Sequence, residues 1–164
     1  MKNLVFVIST LVGLLSIMGV VIPLQNSAWG VVKLCNFPSS SGVCAGTDGG
    51  DVMSGDGQDN FITGCSGDDV LSGGGGNDQI NGDGIIRSDE ECPGGNFNGG
   101  GADRMYGGRG DDVILHGFNG SPGTVISSDG HRDLIDCGPG DDTAIINTSV
   151  DHDVAVNCER VIAG

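Results

Sequence analysis

Acidic side chains return at a fixed interval through the middle of this chain. Across eight nine-residue blocks the sixth position is Asp51, Asn60, Asp69, Asp78, Asp103, Asp112, Asp133 and Asp142. A glycine-rich run precedes most of them. Two residues after each comes an apolar residue: Met53, Ile62, Leu71, Ile80, Met105, Ile114, Ile135 and Ala144. Glycine lets the backbone turn through φ > 0 and expose its carbonyls. A turn that offers carbonyl oxygens and ends in a carboxylate suits a hard cation. Calcium takes six to eight such oxygens at about 2.3–2.6 Å.

The elements that must position these groups follow from the period. Four blocks are contiguous over 46–81 (GTDGGDVMS, GDGQDNFIT, GCSGDDVLS, GGGGNDQIN), two occupy 98–115, and two occupy 128–145. One apolar residue per block cannot form a core alone, but stacked blocks bury a continuous column of them. The last three residues of a block then form a very short strand, with the glycine-rich part as an edge turn. Stacking sets Asp above Asp at about 4.8 Å. Such a chain either stays disordered or holds a cation between its turns. A disordered Gly/Asp-rich linker would account for the composition, but not for the regular apolar residue at position eight.

The blocks resemble the G-G-x-G-x-D-x-U-x repeats of the repeats-in-toxin (RTX) family over roughly 46–145. The resemblance implies an all-β fold, a right-handed parallel β-roll in which two blocks make one turn and calcium lies between turns on the same side. It implies one ion row through Asp51 and Asp69 and another through Asn60 and Asp78, with Asp103, Asp112, Asp133 and Asp142 serving similar sites. Carbonyls of Gly49, Gly67, Gly76, Gly101, Gly110 and Gly140, at position four, are the implied co-ligands. The chain departs from the family in carrying cysteines and an N-terminal signal-like segment. Thr47, Asp48, Asn60 and His131 also depart from the consensus, and His131 predicts a distorted, metal-poor turn.

The formal net charge of −15 and an aromatic content of 4% exclude the basic face that nucleic-acid binding needs. So few aromatics predict a thin core, with metal and disulfides supplying much of the stability. Residues 1–30 read as a secretory signal: Lys2, then a mostly apolar run from Leu4 to Leu24, then Ala28-Trp29-Gly30 as a cleavage site before Val31. The run is also long enough for an uncleaved membrane anchor. Six cysteines follow the signal: Cys35, Cys44, Cys65, Cys92, Cys137 and Cys158. They point to disulfides in an oxidising compartment. Their count admits 15 pairings; we expect Cys35–Cys44 closing an N-terminal loop, Cys65–Cys92, and Cys137–Cys158 fastening the tail to the last block. Zinc is the rival use, without a C-x-x-C pair to support it.

Residues 31–45 form a Cys-containing lead-in, 46–145 the roll with inserts at 82–97 and 116–127, and 146–164 a small C-terminal β cap with one or two strands. Gln79–Glu90 (QINGDGIIRSDE) also fits an EF-hand-like loop, with Asn81, Asp83 and Glu90 as oxygen ligands, Gly84 at the turn and Ile86 at the apolar position. The bland alternative is an acidic loop closed by Cys92. Asn119 and Asn147 begin N-x-[ST] sequons. There is no H-E-x-x-H or G-x-S-x-G, and His116, His131 and His152 read as scattered surface residues. The function expected is a secreted or cell-surface calcium-binding protein without catalysis, its folding coupled to the ion. The alternatives are a calcium-dependent interaction or adhesion module for a protein or glycan, and a hydrolase with unrecognised carboxylates. An ice-binding face would need a threonine ladder, and only Thr63 stands at position nine.

Overall fold

The computed structural model describes residues 30–36, 38–39, 42–84, 92, 100–118 and 128–164. Residues 1–29, the bulk of the expected signal segment, lie outside this set, as do Glu90, Asn119 and most of both inserts. Twelve strands are described, all short: β1 (Val32–Leu34), β2 (Cys44–Thr47), β3 (Val52–Ser54), β4 (Phe61–Cys65), β5 (Val70–Gly75), β6 (Gln79–Gly84), β7 (Arg104–Arg109), β8 (Val113–Phe118), β9 (Leu134–Asp136), β10 (Thr143–Ile146), β11 (Val154–Val156) and β12 (Arg160–Ala163). Odd-numbered strands make one six-stranded sheet in chain order, and even-numbered strands make the other. All pairing is parallel. The chain therefore crosses from sheet to sheet at every block, and two blocks complete one turn. This is the parallel β-roll that the resemblance implies.

Register follows the period. Met53 faces Leu71, Leu71 faces Met105 and Met105 faces Ile135 in the odd sheet. Ile62, Ile80, Ile114 and Ala144 line up in the even sheet. All eight position-eight residues are buried, and with Cys35, Cys44, Cys137 and Ile146 they form the core. The core is two columns of side chains deep because each block contributes only one. Burying a Leu, Ile or Met contributes about 1.5–3 kcal/mol, so the column stabilises the roll turn by turn.

The lead-in and the tail are built into the same sheets. β1 and β2 open the odd and even sheets, and β11 and β12 close them. The tail thus ends the solenoid by adding one more turn with a degenerate sequence. Asp153 and Glu159 stand where position-six residues would, one residue before β11 and β12. Lys33 occupies the first core position of the odd sheet, opposite Met53, and turns its Nζ onto the Ala45 carbonyl at 2.9 Å. Disulfides Cys35–Cys44 and Cys137–Cys158 close the first and last turns, and Cys65–Cys92 ties the first insert to β4.

Candidate metal centre

The position-six side chains form two ladders along the stack. In the first, the backbone N–H of Val31 donates to Asp51, Asp51 N–H to Asp69, Asp69 N–H to Asp103, Asp103 N–H to Asp133 and Asp133 N–H to Asp153. The distances are 2.5, 2.7, 2.9, 2.9 and 3.0 Å, each to an Oδ1 atom. In the second, Asn60 donates to Asp78, Asp78 to Asp112 and Asp112 to Asp142 at 2.7–2.8 Å, and Asp142 N–H reaches Glu159 Oε2 at 2.9 Å. Each acidic residue thus caps the amide of its counterpart one turn earlier. A charged acceptor on a backbone N–H is roughly twice as strong as a neutral one, which is why the block ends its turn in Asp.

Only one carboxylate oxygen is used this way. The other oxygen, Oδ2, is buried and accepts no hydrogen bond in Asp69, Asp78, Asp103, Asp112, Asp133 and Asp142. A buried carboxylate oxygen without a partner is strongly disfavoured, yet it recurs in successive turns of both ladders. Asp51, in the first full block, instead receives Thr47 N–H on Oδ2 at 2.6 Å, with the Thr47 hydroxyl 3.0 Å from Oδ1.

The first glycine of each block keeps the space around Oδ2 open. A Cβ placed on Gly46 would collide with Asp51 Oδ2 and with the Gly64 carbonyl oxygen. The same pair recurs for Gly64 (Asp69 Oδ2, Gly82 carbonyl), Gly73 (Asp78 Oδ2, Gly107 carbonyl), Gly82 (Asp103 Oδ2, His116 carbonyl) and Gly107 (Asp112 Oδ2, Cys137 carbonyl). At Gly55 the side-chain oxygen is Asn60 Oδ1. Each cradle therefore joins one carboxylate oxygen to the position-one carbonyl of the next turn. These position-one carbonyls were missed in the sequence reading, although the constant glycine at the head of the contiguous blocks is their signal. The position-four carbonyls of Gly67, Gly76 and Gly110 abut Gly101, Gly110 and Gly140 one turn on, and the Gly49 carbonyl carbon packs on Gly67.

Burial without a counter-charge raises these acids. Burial pushes Asp69 to about 8, Asp78 to about 7, Asp103 to about 9 and Asp133 to about 8, with neighbouring carboxylates adding to the rise and the backbone N–H opposing it. Asp112, Asp142 and Asp153 are raised for the same first reason. A divalent cation among them reverses this by favouring the ionised forms. An all-oxygen donor set of carboxylates and carbonyls fits calcium.

Three expectations need correction or addition. Gln79–Gly84, the first half of the EF-hand-like reading, is strand β6 and not a loop, and its second half through Glu90 lies outside the described residues. The extended backbone of β6 spreads Asn81 and Asp83 along the sheet, and Asn81 Nδ2 donates to the Asp83 carbonyl at 2.7 Å. His116 is not a surface residue. It is fully buried in β8, opposite Gly82, at a block's first position after Ile114 and Leu115; His131 and His152 are exposed. The third finding is an outer ladder at position five. Asn77 N–H donates to Asp59, Asp111 N–H to Asn77 and Asp141 N–H to Asp111, at 2.7–3.0 Å, and Ala102 N–H donates to Asp68 at 2.9 Å. The recurrence of Asp or Asn at position five was its signal. At the His131 turn the backbone is re-capped by Asp151, which accepts from Ser128 Oγ and the Gly130 N–H.

No curated protein and no solved structure matches the chain. A family model does: the RTX calcium-binding nonapeptide repeat, in four copies, over residues 45–80 and 97–118. Those stretches contain most of the two carboxylate ladders, and over them the chain, folded as a parallel β-roll, matches the RTX calcium-binding repeat.

Proposed function

We propose that this is a secreted, non-enzymatic structural protein whose folding is coupled to calcium held along both ladders. The ligands are the Oδ2 atoms of Asp51, Asp69, Asp78, Asp103, Asp112, Asp133 and Asp142, the Asn60 side-chain oxygen, and turn carbonyls at positions one and four. The observation that carries this reading is the set of six buried carboxylate oxygens without donors, repeated at the same point of successive turns. Each ladder carboxylate already accepts a backbone N–H of a neighbouring turn, an architectural duty that supports a structural role. Three disulfides fit an oxidising, extracytoplasmic setting.

Circular dichroism during a calcium titration from a chelated start tests the coupling. A coil-to-β transition reversed by chelator is the expected result. A β spectrum indifferent to chelator at neutral pH overturns it.

A second reading is favoured by the outer face of the odd sheet, where Leu34, Val52, Tyr106, Leu134 and Val156 are exposed. A calcium-dependent interaction module would present such a face to a protein or glycan. Calcium-dependent retention on an immobilised surface fraction, lost on Tyr106→Ser, distinguishes it from a purely structural role.

A further inference from the structure

The even sheet carries its position-one residues in register as Gly46, Gly64, Gly82 and then His116. The first three leave their cradles open. The fourth fills its cradle with an imidazole. His116 is fully buried, and neither Nδ1 nor Nε2 makes a hydrogen bond. Its Nδ1 lies 3.8 Å from Asp133 Oδ2 and 3.5 Å from Asp153 Oδ2, longer than hydrogen bonds. Ligand atoms of His116, Asp129 and Asp133 all lie within 4.8 Å of one another. Asp129 Oδ2 and Asp133 Oδ2 are themselves buried and without donors.

We propose that His116, Asp129 and Asp133 form a site for a divalent transition metal, zinc in the first instance, which takes Asp133 in place of calcium within an otherwise calcium-type stack. Imidazole is a poor partner for calcium, which selects hard oxygen donors, but a common one for zinc, which binds nitrogen at about 2.0–2.1 Å and carboxylate oxygen at about 2.0–2.2 Å. Two carboxylates and one neutral imidazole make a compact donor set, and Asp153 stands beside it as a fourth acceptor. The backbone also separates the two chemistries. The His116 carbonyl faces Asp103 as a position-one carbonyl does elsewhere, while its side chain enters the next turn. One residue thus closes a calcium-type cradle with its main chain and opens a different site with its side chain. The site rests on the roll's geometry, not on calcium occupancy of the other cradles.

The test uses the full chain with its disulfides formed, in excess calcium, titrated with zinc by calorimetry and with cobalt by visible absorption. One equivalent should bind tightly despite the calcium, with a cobalt spectrum that shows nitrogen ligation. His116→Gly, which restores the ordinary position-one residue, should weaken zinc by more than about 100-fold, beyond what loss of a residue that merely supports a ligand costs. His131→Ala and His152→Ala should leave binding unchanged. Asp129→Asn provides a second arm should the glycine variant fold poorly, and it too should weaken zinc. The proposal is overturned if wild type binds no zinc in excess calcium, or if His116→Gly and Asp129→Asn bind it as tightly. The calcium-induced dichroism of each variant is read in parallel, so failure of the zinc site is separable from failure of the calcium reading.

Discussion

Replacing Asp103 by Asn should stabilise the calcium-free protein and weaken the calcium-loaded one. Asp103 is a buried carboxyl in the middle of the first ladder, pushed by burial to about 9 from 3.8. A carboxyl whose folded pKa lies above its unfolded value holds more protons when folded. Its contribution is therefore fully present below about pH 4 and is lost as pH rises toward about 9. At pH 7.5 the difference amounts to about 3.7 units, or about 5 kcal/mol at 1.36 kcal/mol per unit. An asparagine at this position cannot ionise, and its amide would stand beside the His116 carbonyl, an acceptor. The slope of stability against pH should thus fall by one proton, about 1.4 kcal/mol per pH unit. Between pH 5 and 7 the variant should gain about 3 kcal/mol on wild type in chelator. In calcium the sign reverses, because a charged ligand is gone; each tenfold loss of affinity removes about 1.4 kcal/mol of calcium-linked stability. Urea denaturation in calcium, and the pH at which each protein loses its β spectrum in chelator, measure both effects. Equal destabilisation in both conditions would refute the reasoning, since Asp103 would then be a packing residue whose ionisation matters to neither state.

Asn60→Asp runs the same experiment backward. It should strengthen calcium binding in the second ladder and add about 1.4 kcal/mol per pH unit of destabilisation on raising pH in chelator, read by the same two measurements. Gly64→Ala places a methyl against Asp69 Oδ2 and the Gly82 carbonyl, whereas Gly57→Ala meets nothing within 4 Å. The first should lose at least about 1–3 kcal/mol and bind calcium more weakly. The second should stay within about 1 kcal/mol of wild type, on the stabilising side. Thermal unfolding in saturating calcium distinguishes them.

Much of the fold was legible because one constraint repeats. Position eight has a single job, and a period of nine with one apolar side chain per block requires stacking; the two-sheet form of the stack is what the family resemblance implies. The carboxylates were legible for the same reason. The tail was harder. Asp153 and Ala155, and Glu159 and Val161, keep the two-residue spacing of positions six and eight without a glycine turn, so a glycine-led template passes over them although backbone pairing does not. His116 was hidden by the insert that follows it. In the sequence the beat breaks off at Leu115, and only the register across β6 and β8 reveals that the next residue still holds a block's first position. Asn81 and Asp83 of the EF-like match lie on strand β6, because a spacing pattern does not distinguish a loop from a strand.

Both long insertions leave the roll after an even strand, β6 or β8, and return before an odd one, β7 or β9. Within the repeats the opposite crossings, from β3 to β4, β5 to β6, β7 to β8 and β9 to β10, keep the nine-residue pitch, and only the terminal crossings, β1 to β2 and β11 to β12, depart from it. The solenoid therefore has a ruled margin and a free margin. The ruled margin carries the outer ladder of Asp59, Asn77, Asp111 and Asp141, whose rungs an added residue would put out of step. The free margin has already accepted two extra segments in successive turns without a shift in strand register. Foreign peptides spliced at 85–91 or 119–127 would be displayed side by side from adjacent turns. The same splice between Gly110 and Asp112 would break the rungs that join Asn77, Asp111 and Asp141.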